Sequence, residues 1–160
     1  MSEQSPADIV AVHLLATPLE LLVSAREHHD GLMREFRLLA LAGPSSARAV
    51  PVRLIELTDV LGRQYGAATA RSDAEVDQAL AAGVRTMDLL FEVPRDAAVA
   101  AQRLAELLDE ADAFCADEQL MTLGRPALLT RFGSWYLDQF VTQCSGGAAT
   151  PWDGPLVLDS

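Results

Sequence analysis

The stretch Pro18–Ala42, PLELLVSAREHHDGLMREFRLLALA, is the longest helical pattern in the chain. Pro18, Leu22, Ala25, His29, Leu32, Phe36 and Leu39 recur at steps of three and four. That spacing places them on one face of a helix, with His29 its only polar member. Pro18 suits a first turn, where its missing N–H has no helical partner, and Thr17 is the expected N-cap. Gly43-Pro44 ends the pattern, glycine by adopting positive φ and proline by being unable to continue. About 25 residues at ~1.5 Å each make a rod of roughly 37 Å, long enough to cross a domain of this size. The remaining elements must cover it, and the spacing predicts Leu32, Phe36 and Leu39 beneath the last helix.

Working outward, Ile9 to Ala16 (IVAVHLLA) is apolar, partly β-branched and too short for a helix, which predicts a strand with His13 facing solvent. Pro44 to Val50 reads as a link. Val52 to Tyr65 repeats Leu54, Leu57, Leu61 and Tyr65 at helical spacing, with Pro51 before it and Gly66 as its C-cap. Ser72 and Glu75 form the pattern of a capping box, opening a short separate helix that carries Val76 and Leu80 inward and stops at Gly83. In Arg85 to Val93, Met87, Leu89, Phe91 and Val93 alternate with Thr86, Asp88, Leu90 and Glu92. Period two predicts a half-covered strand, and its natural partner is Ile9 to Ala16 in an antiparallel ribbon. Asp96 to Cys115 is a second long helix with Ala97, Ala101, Leu104, Leu108, Ala111 and Phe114 or Cys115 inward. Leu120 and Leu123 anchor the following connection. Pro126 opens a last, widely apolar helix carrying Leu129, Phe132, Trp135, Tyr136, Phe140, Val141 and Cys144. The expected fold is an α-rich α+β domain, a helical bundle of four to five helices with a small two-stranded β ribbon. It spans residues 9–147, between a flexible 1–8 and a C-terminal tail at 148–160.

The 160 residues are half apolar, which suits one domain with a core of its own. A net charge of −11 argues against nucleic acid and anionic membrane as partners, since both call for a basic face. No apolar run reaches the ~20 residues of a membrane span, and MSEQSPAD lacks the marks of a secretion signal. Cys115 and Cys144 read as buried, reduced thiols, so a cytoplasmic address is expected. The charge is uneven: nine carboxylates lie between Asp88 and Glu118, against only Arg95 and Arg103.

His28-His29-Asp30 is the one cluster with chemical potential. Adjacent helical residues diverge by about 100°, so both imidazoles close poorly on one ion, and no metal site is expected. Histidine followed by an acid on a bundle helix also resembles a phosphoacceptor, which makes His28 and His29 candidates for phosphotransfer. The bland reading is favoured: a neutral core histidine at 29, with Asp30 paired to Arg34 at i,i+4. No nucleophile elbow, Cys-His pair or phosphate loop is present, so no catalysis and no cofactor are expected. Gly62-Arg63 and Gly124-Arg125 read as punctuation, and the carboxylates of 106–118 as a solvated face.

The segments PLELLVSAREHHDGLMREFRLLAL, PVRLIELTDVLGRQYGA, VPRDAAVAAQRLAELLDEADAFC and TLGRPALLTRFGSWYLDQFVTQ, with TPW after them, together resemble a group of small actinobacterial proteins. That group is associated with anti-sigma-factor serine kinases, STAS-domain antagonists and PP2C-type phosphatases. The resemblance covers most of residues 10–153 and implies a non-enzymatic regulatory role in partner switching, with an anti-sigma-factor kinase or STAS protein as partner. Candidate partner-binding residues are Asp109 and Glu110 on the acidic helix, with Trp135, Tyr136 and Trp152 as aromatic anchors. The wide apolar arc of the last helix also allows a homodimer. A third function class is a small-ligand sensor with a pocket between helices, near His29, Trp135 and Tyr136.

Overall fold

In strand β1 (Ile9–Pro18) and strand β2 (Thr86–Pro94) alternate residues turn to one side, and the two strands pair antiparallel. The computed structural model describes residues 9–41, 49–117 and 124–158. Val12 faces Phe91 and Leu14 faces Leu89 in register, all four buried, while Asp88, Leu90 and Glu92 are exposed. A bulge at Leu15–Ala16 interrupts the ladder. Ala16 takes a φ of 55°, and its N–H donates to the Asp88 carboxylate at 2.8 Å. The extra residue turns the Leu15 carbonyl outward, where it accepts the Trp152 N–H at 3.1 Å.

Four helices complete the described chain: α1 (Leu19–Leu41), α2 (Ala49–Ala81), α3 (Ala97–Asp117) and α4 (Ala127–Cys144). The fold is an α-rich α+β domain, as the periodicities imply. Thr17 is not the N-cap of α1. It is the penultimate residue of β1, and its hydroxyl donates back to the Leu14 carbonyl at 2.9 Å. The strand instead hands over to α1 through the Leu19 N–H, which donates to the Arg85 carbonyl at 3.0 Å.

The largest departure from the periodicity reading is α2. Gly66 does not cap a helix and Ser72 does not open one; both lie inside a single helix of 33 residues, roughly 50 Å long at ~1.5 Å each. An interior glycine costs only about 1 kcal/mol relative to alanine, less than the apolar contacts that a continuous helix retains. The true end is at Gly83, φ 82°, where Val84 N–H donates to the Ala79 carbonyl at 2.9 Å and Gly83 N–H to Leu80 at 3.0 Å. Paired bonds of this kind around a left-handed glycine close a helix by satisfying its last carbonyls.

The core has two clusters, and α1 runs through both. Leu19, Leu21 and Leu22 join the ribbon, Val76 of α2, Leu129 and Phe132 of α4, and Trp152. Leu32, Met33 and Phe36 join Leu54 of α2 and Leu107, Ala111 and Cys115 of α3. The expected stripe on α1 is therefore correct, but α2 and α3 cover Leu32, Phe36 and the half-buried Leu39 rather than the last helix. Phe36 meets Phe114 edge-on at 5.7 Å. On α3 the buried stripe takes Leu107, which the periodicity did not single out.

Two buried glutamines on α4 do what further apolar residues could not. The Gln143 amide accepts from the His13 N–H and donates to the His13 carbonyl, each at 2.8 Å. It thus pairs the outer edge of β1 as another strand would. Its Nε2 also donates to Gln139 Oε1, which accepts the Thr150 N–H at 3.0 Å. The tail is thereby fastened to the bundle. Trp152 is 7% exposed, meets Phe132 and Trp135 edge-on, and donates through Nε1 to the Pro155 carbonyl. Expectations for residues 1–8, Gly43-Pro44, Leu120 and Leu123 lie outside the described residues.

Candidate functional site: an apolar cleft between the helices

His29 lies on α1 between the two clusters, and the packing leaves a cleft of about 400 Å³ beside it. Ligand sites commonly measure 300–1,000 Å³. Phe91 and Val93 of β2 and Ala97 and Ala101 of α3 are buried in its floor. Gly62, Gly66 and Ala70 succeed one another at i,i+4 along α2 and form one wall, with Gly62 and Ala70 exposed at the rim. Tyr136 and Phe140 of α4 close the side nearest the ribbon. The cleft exists because small residues on α2 and α3 face each other where larger ones would meet. A Cβ added at Gly62 or Gly66 would touch nothing within 4 Å.

Few polar groups enter this space. The Thr58 hydroxyl is buried and has no hydrogen-bond partner among the described residues. The His29 pKa is lowered, first by burial; Asp30 opposes this, while His28, Arg125 and Arg37 reinforce it. The imidazole therefore stays neutral near pH 7, with one ring nitrogen free to donate and the other to accept. Burial pushes the Tyr136 phenol up to about 12, with Arg26 pulling it down and Asp73 pushing it up. Tyr65 is raised by burial, then by Asp96 and Cys144. Arg26 and Asp73 tie α1 to α2 at 2.5 Å, and Arg37 and Asp59 tie the same helices at 3.2 Å.

A second pocket abuts the first and shares His29 and Thr58 with it. Its other lining residues are Asp30, Met33, Arg34, Arg37 and Leu38. The expected Asp30–Arg34 pair is not formed among the described residues. Both side chains are exposed, where such a pair is worth only ~0.3–0.5 kcal/mol.

The other residues singled out from sequence are scattered. His28 is half-buried beside His29 on α1. Asp109 lies 3.3 Å from Arg125, and Glu110 lies 3.0 Å from Arg53. The acidic face of α3 is thus partly neutralised rather than simply solvated. Arg125 is not punctuation: its side chain is 10% exposed and also holds Asp112 at 2.8 Å, fastening the start of α4 to α3. Trp135 is half-buried and donates to the Thr150 carbonyl at 2.8 Å. Of the aromatic anchors, only Tyr136 lines the cleft. Among the described residues, no three His, Cys, Asp or Glu side chains are placed to hold a metal ion, and no helix is long and apolar enough to cross a membrane.

Fold and site together define an α-rich α+β bundle with a ligand-sized apolar cleft at the junction of its two cores. No protein family, curated protein or solved structure matches this chain. A pocket near His29, Trp135 and Tyr136 was expected; His29 and Tyr136 line the cleft and Trp135 does not, and the small residues that make it were not foreseen. The signal was Gly62, Gly66 and Ala70 at steps of four; Gly62 and Gly66 read as helix punctuation, yet with Ala70 they form one small-residue face.

Proposed function

We propose that this protein is a non-enzymatic regulatory module that takes a small, largely apolar molecule into the cleft between α1, α2, α3 and β2. The observation that carries this reading is the cleft itself: about 400 Å³, floored by Phe91, Val93 and Ala101 and furnished with very few polar groups. Such a lining gains little from solvent and favours an apolar occupant. His29 and Thr58 supply orientation rather than chemistry, since no nucleophile–base pair accompanies them among the described residues. Occupancy would tie α1, α2 and α3 together at the boundary between the clusters, which gives binding a means of altering the protein's outer surface. The resemblance to partner-switching regulators supports a protein partner, an anti-sigma-factor kinase or STAS-domain protein, as the reader of that state. The work is assigned to the cytoplasm, where the free, buried Cys115 and Cys144 stay reduced.

Titration with the neutral apolar dye phenylnaphthylamine tests the cleft directly. Saturable one-to-one binding is expected for the native protein. It should be lost in Gly66→Leu, which fills the cleft from a position with open space while improving helix propensity. No saturable binding, or equal binding by the folded Gly66→Leu protein, would overturn the reading.

A further inference from the structure

We infer that the cleft takes an amphipathic monocarboxylate, its apolar chain in the cleft and its head in the adjoining pocket against Arg34. This deepens the ligand-binding reading and rests on it. The two pockets meet at His29 and Thr58, so one elongated molecule passing between those side chains occupies both. The inner space is almost wholly apolar and suits only the chain. A cleft of about 400 Å³ lies within the size range of small-ligand sites and has room for an alkyl chain. The outer pocket is different in kind. Arg34 and Arg37 line it with Asp30 as the one acid. Arg37 is engaged by Asp59 at 3.2 Å, and Arg34 makes no ion pair among the described residues. In a chain of net charge −11, Arg34 and Arg37 thus put two guanidinium groups in the pocket that adjoins the apolar cleft.

The neck selects for the same chemistry. The Thr58 hydroxyl is buried with no partner among the described residues, a costly state for a polar group, and an oxygen-bearing head passing beside it would accept its hydrogen bond. His29 is neutral and can donate to the same head. A cationic head would meet Arg34, with Asp30 the one acid lining the pocket and Asp59 already engaged by Arg37, so it is disfavoured. A neutral head would leave Arg34 unused. Carboxylate and guanidinium form paired, charge-assisted hydrogen bonds, which makes the acid the better fit.

Calorimetric titration with dodecanoate and the matched alcohol dodecanol, both as monomers, separates head from chain. Dodecanoate is expected to bind the native protein about tenfold more tightly or better, the scale of a hydrogen bond to a charged group. Arg34→Gln, an exposed surface change, should remove that preference while leaving dodecanol binding unaltered. Gly66→Leu should abolish both. Equal affinity for acid and alcohol, unchanged by Arg34→Gln, would overturn the carboxylate assignment and leave the cleft as a binding site. Binding of neither by protein whose helical circular dichroism is intact would overturn both.

Discussion

At His29 a single imidazole connects the packing of α1 to pH. Burial is the main cause of its lowered pKa, with Asp30 acting against it and His28, Arg125 and Arg37 acting with it. In the unfolded chain this histidine titrates near 6.5. As pH falls through that value the unfolded state takes up the proton first, so folding stability is lost towards the lower, folded pKa. Above 6.5 both states are neutral and the group contributes no slope. The urea midpoint should therefore drop as pH falls below about 6.5, and His29→Leu should flatten the drop. Parallel curves for the two proteins would show that His29 is not desolvated. Ser72 offers a second residue-scale test. A capping serine changed to alanine costs ~0.5–2 kcal/mol. Here the hydroxyl is buried in mid-helix with no partner among the described residues. Ser72→Ala should instead be neutral or stabilise by up to about 1 kcal/mol in denaturant titration. The sequence pattern at Ser72 and Glu75 was legible but misleading, because a capping box and a helix interior share the same letters.

The long element α2 is where local propensity and tertiary packing disagree most openly. Gly62 and Gly66 weaken it locally, yet Leu54 at one end and Val76 near the other are fully buried in different clusters. Anchoring at both ends carries the helix across its weak centre. Gly66→Ala has open space for its Cβ and should raise stability by about 1 kcal/mol. A loss of stability would mean that residue 66 is not helical, or that backbone from a neighbouring element comes close there. The junction of α3 and α4 depends on an ion pair rather than on propensity. Arg125 is largely enclosed and holds both Asp112 and Asp109. Arg125→Ala leaves the half-buried Asp112 without its cation and should destabilise by about 2–4 kcal/mol, towards the lower end because Asp109 is exposed. Thermal denaturation midpoints unchanged within error would relegate the pair to the surface class. None of this could be read from Gly124-Arg125, since the partners belong to another helix.

Over the whole molecule, two clusters share α1, and a C-terminal tail closes one of them. Trp152 is enclosed by Phe132 and Trp135 with Arg131 over its ring at 5.0 Å, and its N–H reaches the bulged strand. Trp152→Ala should cost about 3–5 kcal/mol, measured by urea titration, as large aromatic truncations in enclosed sites do. A cost under 1 kcal/mol would make the tail an appendage. Helix and strand identities and the inward faces of α1 and β2 were determined by the sequence alone. Those properties follow from side-chain period, 3.6 in a helix and two in a strand, which any short stretch displays by itself. Only the tertiary structure decided that α2 is continuous, that Gln143 completes the edge of β1 from 130 residues away, and that Phe36 lies under α2 and α3. The cleft belongs with these. Gly62, Gly66 and Ala70 become a wall only when Ala97 and Ala101 stand opposite. A space between helices is a property of two surfaces at once, and no periodicity along one chain segment encodes its partner.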